Sequence, residues 1–279
     1  MATDETNGEL VSMAVRRSGH IAEITLLGPG KGNAMGPDFW RELPRVFDEL
    51  DADPEVRAIV LTGSGANFSY GLDLPAMLPE WAEVLGDGAM AEPRTRFLAE
   101  LRRLQGSVNA VARCRKPVIA AVAGWCVGGG VDVISAADVR LASSDAKFSV
   151  REVKVAIVAD LGSLQRLASI IGEGQLRELA FTGKDIDAVR AERIGLVNEV
   201  YPDADAVREA GLAMAEEIAA NPPLVVQGVK EVLSVNTQQQ VDAGLRFVGA
   251  WNAAFLPSED LSEAVRAFME RREPEFKGK

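Results

Sequence analysis

The 279-residue sequence contains a single histidine, His20, and only two cysteines, Cys114 and Cys126. One histidine excludes most Ser-His, Cys-His and multi-histidine metal chemistry. Two cysteines cannot build a disulfide framework, and such sparse use is typical of a reducing compartment. Because structural zinc sites usually take four ligands of these types, we expect no metal site.

Basic residues are also outnumbered, with 30 lysines and arginines against 41 aspartates and glutamates, a net charge of −11. This balance argues against general electrostatic binding to nucleic acid or to an anionic membrane. No charge-free run is longer than that at residues 117–131, which is shorter than the roughly 20 residues that a membrane span needs. Residues 1–5 are acidic, unlike the start of a signal peptide. We therefore expect a soluble, cytoplasmic protein.

Short apolar runs alternate with amphipathic segments through the first part of the chain. Strands are predicted within 11–27 around a Ser18-Gly19 turn, and at 56–62, 117–122 and 139–141. Helices are predicted around 39–50, at 94–113 and from the glycines at 128–130 to about 137. Pro44 lies inside the first of these helices, where proline can kink or break it. The alternation indicates an α/β fold with a mostly parallel sheet covered by helices.

The sequence pattern changes near residue 203, where strand signals end. Successive helices are predicted beyond it at 204–220, 222–235, 238–254 and 258–272. We therefore predict a mixed core over residues 1–203 and a C-terminal helical region over residues 204–279.

Several familiar catalytic and cofactor motifs are incomplete. Residues 124–128 outline a hydrolase nucleophile elbow around Cys126, but no histidine follows it in the chain. The glycine patterns of dinucleotide-binding and P-loop sites are missing as well. We therefore expect neither a cysteine hydrolase nor a nucleotide cofactor.

Two glycine-rich turns follow predicted buried strands, one at residues 67–74 and the other at 124–130. Glycine lets a ligand approach the backbone closely, and free N–H groups at a helix start favour an anion. Two such groups converging from separate turns would form an oxyanion hole. Tight packing of a helix on a strand explains the same glycines, so both interpretations stay open at this point.

Three carboxylates lie in apolar surroundings, at Asp132, Glu152 and Asp160. Each also has an explanation without chemistry. Asp132 can face solvent on a helix. Glu152 can pair with Arg151 or Lys154. Asp160 can cap the helix that follows it, since aspartate is a favoured N-cap.

Seven short segments carry a family resemblance when their order and spacing are considered together. They lie at residues 32–35, 68–74, 117–122, 128–130, 137–140, 165–167 and 195–200. Together they resemble the crotonase (enoyl-CoA hydratase/isomerase) superfamily over almost the whole chain. Within it, segments 128–133, 150–153 and 159–167 resemble the Δ3,5-Δ2,4-dienoyl-CoA isomerases, which carry Asp, Glu and Asp at these three acidic positions. Residues 39–42 and 250–252 are similar to the same group.

The resemblance implies a crotonase-like spiral of strands and helices with a C-terminal helical region. It also implies a fatty acyl thioester of coenzyme A as substrate, so that no separate cofactor is needed. The amides of Leu72 and Gly129 match the family's oxyanion hole. Further substrate-binding positions are expected at Ser69, Gly71, Asp73, Leu74 and Gly130.

By the same resemblance, Glu152 removes a proton from C2 of a 3,5-dienoyl thioester and Asp160 delivers one to C6. Asp132 would assist them by hydrogen bonding or by biasing their protonation. The family also implies a homotrimer or a dimer of trimers, and aromatic residues recur at spacing four in the predicted C-terminal helices, at Phe247, Trp251 and Phe255.

Two alternatives remain open. One is a 2-trans-enoyl-CoA hydratase, in which Asp132 and Glu152 would activate a water. The other is a non-catalytic acyl-CoA-binding protein. Departures from the family pattern at Tyr70, Lys154 and Ala156 leave the acyl chain length undetermined.

Overall fold

The computed structural model describes residues 10–28, 32–86 and 89–279. The strands are β1 (Met13–Ser18), β2 (Ile21–Leu26), β3 (Ala58–Gly63), β4 (Val118–Val122), β5 (Trp125–Val127), β6 (Val139–Ser143), β7 (Lys147–Ser149), β8 (Ile186–Asp187) and β9 (Glu199–Tyr201). The predicted strands are all present, whereas the short strands β5, β7, β8 and β9 were not predicted.

The helices include short turns as well as long rods. They are α1 (Pro37–Ala52), α2 (Leu74–Met77), α3 (Ala82–Leu85), α4 (Ala91–Arg113), α5 (Gly129–Ser135), α6 (Ser163–Ile171), α7 (Glu173–Thr182), α8 (Ala188–Arg193), α9 (Ala204–Ala219), α10 (Pro223–Phe255) and α11 (Glu259–Glu270). Two 3₁₀ helices span Leu78–Trp81 and Glu152–Val155. In the described ranges, no helix is long and apolar enough to cross a membrane.

The main sheet has six strands in the order β1-β2-β3-β4-β6-β9. The β1–β2 hairpin is antiparallel, and every other pair in this sheet is parallel. Alternate residues of β3 face opposite sides: Ile59 and Leu61 join the large core, while Val60 packs with α9. Because helices cover both faces, the central strands β3 and β4 are apolar at nearly every position, as parallel strands usually are. The predicted parallel sheet is confirmed.

Two predicted helix interruptions do not occur. Helix α1 continues through Pro44 and buries an apolar stripe that includes Trp40 and Phe47. The two helices predicted at 222–235 and 238–254 are one helix, α10. The sequence between them, Asn236-Thr237, contains neither proline nor glycine, so nothing there ends the helix. Every described element after β9 is helical, and the division of the chain at residues 203 and 204 stays a prediction.

Backbone and amide hydrogen bonds hold the first glycine-rich turn beside the second. The Asn33 side-chain amide donates to the carbonyls of Ser64, Asn67 and Phe68, and the Ser69 hydroxyl donates to the carbonyl of Asn33. Ser69 also pairs with Cys126 as an isolated bridge. The two turns are thereby fixed side by side. Residues 29–31 of the preceding glycine-rich loop and residues 1–5 at the acidic start lie outside the described residues.

Candidate active site

The three acidic residues come from separate elements and line one cavity of about 780 Å³. Asp132 is in α5, Glu152 begins a 3₁₀ helix, and Asp160 lies in the segment before α6. Leu72 and Gly129 line the same cavity, as do Asp73 and Leu74. The structure therefore brings together the acids and both predicted oxyanion residues.

Three of the predicted substrate-binding residues do not line this cavity. Ser69 is fully buried, with its hydroxyl bound to the Asn33 carbonyl and accepting the Gly71 amide. A Cβ on Gly130 would lie 3.2 Å from the Ser69 carbonyl oxygen. Ser69, Gly71 and Gly130 therefore shape the two turns from behind, where close packing needs small residues. That they contact substrate stays a prediction.

The amides of Leu72 and Gly129 converge at the cavity wall. A Cβ on Gly129 would lie 3.6 Å from the Leu72 nitrogen, which places the two turns in van der Waals contact. Among the described residues, neither amide donates to a protein acceptor. Two unused N–H groups beside a cavity are the kind of donors that an oxyanion hole needs.

Asp132 is buried, so the alternative that it faces solvent is wrong. Its Oδ1 accepts the Ser163 amide, the first N–H of α6, at 2.6 Å. Burial raises the pKa of Asp132 to about 6, while the Ser163 hydrogen bond and the Arg166 charge oppose the rise. Of the three acids, Asp132 therefore keeps its negative charge most readily.

Glu152 does not pair with either neighbouring basic residue. Arg151 pairs with Asp185 instead, and Glu152 Oε2 is buried without a hydrogen-bond partner in the described part of the chain. Burial, followed by the nearby charges of Asp132 and Asp160, raises the pKa of Glu152 to about 8. Backbone hydrogen bonds of Arg151 and Glu152 oppose part of this rise. A carboxyl with one oxygen buried and unpartnered is a strong base once ionised.

Asp160 does not cap α6, because Gly162 is the N-cap and the helix N–H is taken by Asp132. Its Oδ2 instead accepts the side-chain amide of Asn252 on α10, at 2.6 Å. Burial raises the pKa of Asp160 to about 7, and the Asn252 hydrogen bond opposes part of that rise. Like Glu152, Asp160 is therefore present in both its neutral and its ionised form near neutral pH.

A second cavity of about 490 Å³ adjoins the first and is lined only by apolar residues. The two share Leu74, Trp81, Ile157, Leu256 and Phe268 among others. Helix α11 contributes a wall that the site predictions missed. It consists of Leu261, Ala264, Val265, Phe268 and Met269. The apolar stripe of α11 is visible in the sequence, but the position of this helix over the cavity depends on tertiary packing.

The departures from the family pattern occupy different places. Tyr70 lines the cavity, and its ring packs where a side chain on Gly32 would collide with it. Ala156 adopts a left-handed backbone with φ +56°, a conformation that glycine adopts at less cost. Lys154 packs its stem against Gly183, away from the acids.

Comparison with known proteins places this geometry in a family. A family model described as enoyl-CoA hydratase/isomerase matches residues 16–279. A mitochondrial Δ(3,5)-Δ(2,4)-dienoyl-CoA isomerase of Dictyostelium discoideum is 45% identical over 92% of this chain and 87% of its own. A peroxisomal isomerase of the same name from Arabidopsis thaliana is 41% identical, over 92% of each chain.

A solved enoyl-CoA hydratase/isomerase from Pseudoalteromonas atlantica T6c has the same fold, with a TM-score of 0.83. It is 25% identical, and the match covers 96% of this chain and all of that one. The expected crotonase-like fold with a C-terminal helical region is confirmed.

The expectation of a cytoplasmic protein is wrong. The Dictyostelium and Arabidopsis relatives are named mitochondrial and peroxisomal. The expectation depended on the lack of a recognisable leader, and this lack does not determine where a protein resides. Family membership is clear, since the family match covers nearly the whole sequence and relatives above 40% identity span most of it. The chain belongs to the enoyl-CoA hydratase/isomerase family.

Proposed function

We propose that this protein isomerises 3,5-dienoyl-CoA to 2,4-dienoyl-CoA by proton transfer between carboxyl groups. The observation that carries the proposal is the gathering of Asp132, Glu152 and Asp160 around one cavity, beside two unused amides. The relatives named dienoyl-CoA isomerase support it, at 45% and 41% identity.

The chemistry begins at C2, whose proton is acidified by the thioester carbonyl and the conjugated diene. Removal of this proton gives a dienolate with its negative charge on the thioester oxygen. The amides of Leu72 and Gly129 are placed to donate to that oxygen. One such donor contributes about 3–4 kcal/mol to the transition state in comparable sites.

Two carboxyls are needed because C2 and C6 are four bonds apart. Glu152 takes the C2 proton as the C1–C2 bond gains double-bond character. Asp160 gives its proton to C6, and the double bonds move to C2–C3 and C4–C5. Glu152 ends protonated and Asp160 ionised, so one proton must pass back between them before the next turnover. Asp132 keeps its charge near both and biases that exchange.

The acyl chain beyond C6 can bind in an apolar cavity. The second cavity adjoins the one lined by the acids, and its described lining is apolar, so burial of a hydrocarbon tail there is favourable. The proposed reaction uses no cofactor besides the coenzyme A of the substrate.

A paired assay tests the proposed function. Purified protein is given 3,5-dienoyl-CoA and crotonyl-CoA in parallel, and each reaction is followed by ultraviolet absorbance. We expect formation of the conjugated 2,4-dienoyl product and slow hydration. Rapid hydration of crotonyl-CoA with negligible dienoyl turnover would identify a hydratase. Binding of both esters without turnover of either would identify a non-catalytic acyl-CoA-binding protein.

The pH dependence of kcat/KM is expected to be bell-shaped. The raised pKa values, about 8 for Glu152 and about 7 for Asp160, set its limbs. Below the lower value both groups are protonated and no base is present, whereas above the higher value both are ionised and no acid remains. The limbs report the coupled set of acids and not single residues. An activity that rises to a plateau, with no alkaline fall, would contradict the two-carboxyl mechanism.

We also propose that the protein assembles as a homotrimer or a dimer of trimers. Phe247, Trp251 and Phe255 form a stripe on α10 and remain 70%, 45% and 62% exposed in the single chain. Light scattering is expected to give three or six times the 29.8 kDa protomer mass. A monomer at micromolar concentration would contradict this assembly.

A further inference from the structure

Asn252 is a buried residue of α10 whose side-chain nitrogen uses both of its hydrogens in hydrogen bonds. It is 1% exposed, and Nδ2 donates to Asp160 Oδ2 at 2.6 Å and to the Val158 carbonyl at 2.8 Å. A carbonyl only accepts, so the Val158 bond fixes which end of the amide is nitrogen. Asp160 Oδ2 therefore always faces an N–H donor.

A donor in this position restricts where Asp160 can carry its proton. An Oδ2 that accepts an N–H has no room for a hydroxyl hydrogen of its own along the same line. The neutral acid then favours Oδ1 for its proton, because a carbonyl oxygen accepts the Asn252 N–H better than a hydroxyl oxygen does. The same donor favours the ionised form, because a hydrogen bond to a carboxylate is stronger than one to a neutral acid.

A second buried amide provides a contrast. Gln105 of α4 donates to the backbone carbonyl of Asp160 at 2.8 Å and to that of Leu245 on α10 at 3.0 Å. It thus ties the same segment to the same helix as Asn252 does, but it does not touch the carboxyl. A purely structural role for these amides would predict similar consequences from losing either.

We propose that Asn252 is a positioning residue that directs the transferable proton of Asp160 to Oδ1 and sets the acidity of that carboxyl. The inference rests on the proposed function, in which Asp160 is the acid that protonates C6. It adds a residue from α10 to a reaction whose other residues come from elements before α7.

The other charged groups near Asp160 come from three separate elements. Asp132 from α5 and Glu152 from its 3₁₀ helix act on it by repulsion. Arg166 from α6 acts on Asp132 and bonds the Leu161 carbonyl, while α4 and α10 present the neutral amides of Gln105 and Asn252. Among the described residues, Asn252 is the side chain that donates to the Asp160 carboxyl.

The test compares Asn252→Leu with Gln105→Leu. Leucine has the branched shape of asparagine without its donor, so N252L is expected to raise the pKa of Asp160 and move the kcat/KM profile to higher pH, by at most about one pH unit. We expect kcat to fall about tenfold with KM within about twofold, because the substrate contacts stay in place. Q105L is expected to lower the thermal midpoint and leave the pH profile where it is.

An activity-independent readout separates this inference from the proposed function. An infrared pH titration follows the neutral carboxyl band that disappears in D160N, and its midpoint is expected to rise in N252L but not in Q105L. If isomerisation is never detected, the shift of the band midpoint in N252L still supports the Asn252–Asp160 hydrogen bond, while the proposed function fails. If the enzyme isomerises dienoyl-CoA and neither the band nor the pH profile moves in N252L, the inference is overturned. Should leucine prevent folding, N252A removes the same donor at smaller volume and is judged by the same readouts.

Discussion

Glu152→Gln is expected to lower kcat for dienoyl-CoA isomerisation at least about 100-fold, the low end of what a positioned general base contributes. Glutamine keeps the size of glutamate but cannot accept the C2 proton. The bell shape of the pH profile should vanish with it, since Glu152 is one of the two groups whose ionisation sets the limbs. Stopped-flow or steady-state absorbance of the conjugated product measures both effects.

The stability of E152Q distinguishes lost chemistry from lost structure. The pKa of Glu152 is raised by burial to about 8, so the folded wild type binds a proton more tightly than the unfolded chain. Wild-type stability therefore falls as pH rises from the unfolded value near 4.5 towards 8. Glutamine removes this loss, and the thermal midpoint of E152Q at pH 8 should equal or exceed that of wild type.

A matched variant controls for the change from carboxyl to amide. Glu192 is exposed on α8, away from the cavity, and E192Q is expected to retain the wild-type rate within about twofold. A folded E152Q that turns over dienoyl-CoA at a near-wild-type rate would eliminate Glu152 as the base.

Gly71→Ala is expected to lower kcat about 100- to 1,000-fold, the loss that follows removal of an oxyanion donor. Gly71 has φ +82°, and an added Cβ would lie 2.6 Å from the Val127 carbonyl oxygen and 3.0 Å from the Gly129 nitrogen. The two turns must separate to admit the methyl group, which carries the Leu72 and Gly129 amides apart. Because the dienolate charge develops in the transition state, kcat should fall more than KM rises.

Gly65→Ala is the matched control for the backbone strain. Gly65 has a similar φ of +67°, but a Cβ there would meet nothing within 4 Å. G65A therefore carries the cost of a left-handed alanine without disturbing the oxyanion turn. It is expected to lose some thermal stability and keep its kcat. Equal rate losses in G71A and G65A would mean that strain, and not the amide geometry, controls the rate.

Much of the fold followed from local patterns. The runs at 56–62 and 117–122 predicted β3 and β4 because parallel strands covered on both faces have apolar residues at every position. The glycines at 128–130 predicted a turn into a helix, and α5 begins at Gly129. Helix α10 was predicted as two helices, because the local sequence gives only weak evidence on whether a polar stretch ends a helix.

The roles of the three acids were harder to predict from the sequence. The N-cap preference of aspartate favoured Asp160 as the cap of α6, yet that helix's first N–H meets Asp132, 31 residues earlier in the chain. The partner of Asp160 is Asn252, 92 residues later. Capping statistics describe neighbours in sequence, whereas these hydrogen bonds join elements that meet only after the chain has folded.

The sequence by itself determined the alternation of strands and helices, the glycine turns and the presence of three acids in apolar segments. It did so because burial patterns and backbone freedom are properties of neighbouring residues. Only the tertiary structure decided which acid lacks a partner, which amides stay unused and which helix walls the apolar cavity. Desolvation and hydrogen bonding of a carboxyl depend on every element packed around it, and those elements lie far apart along the chain.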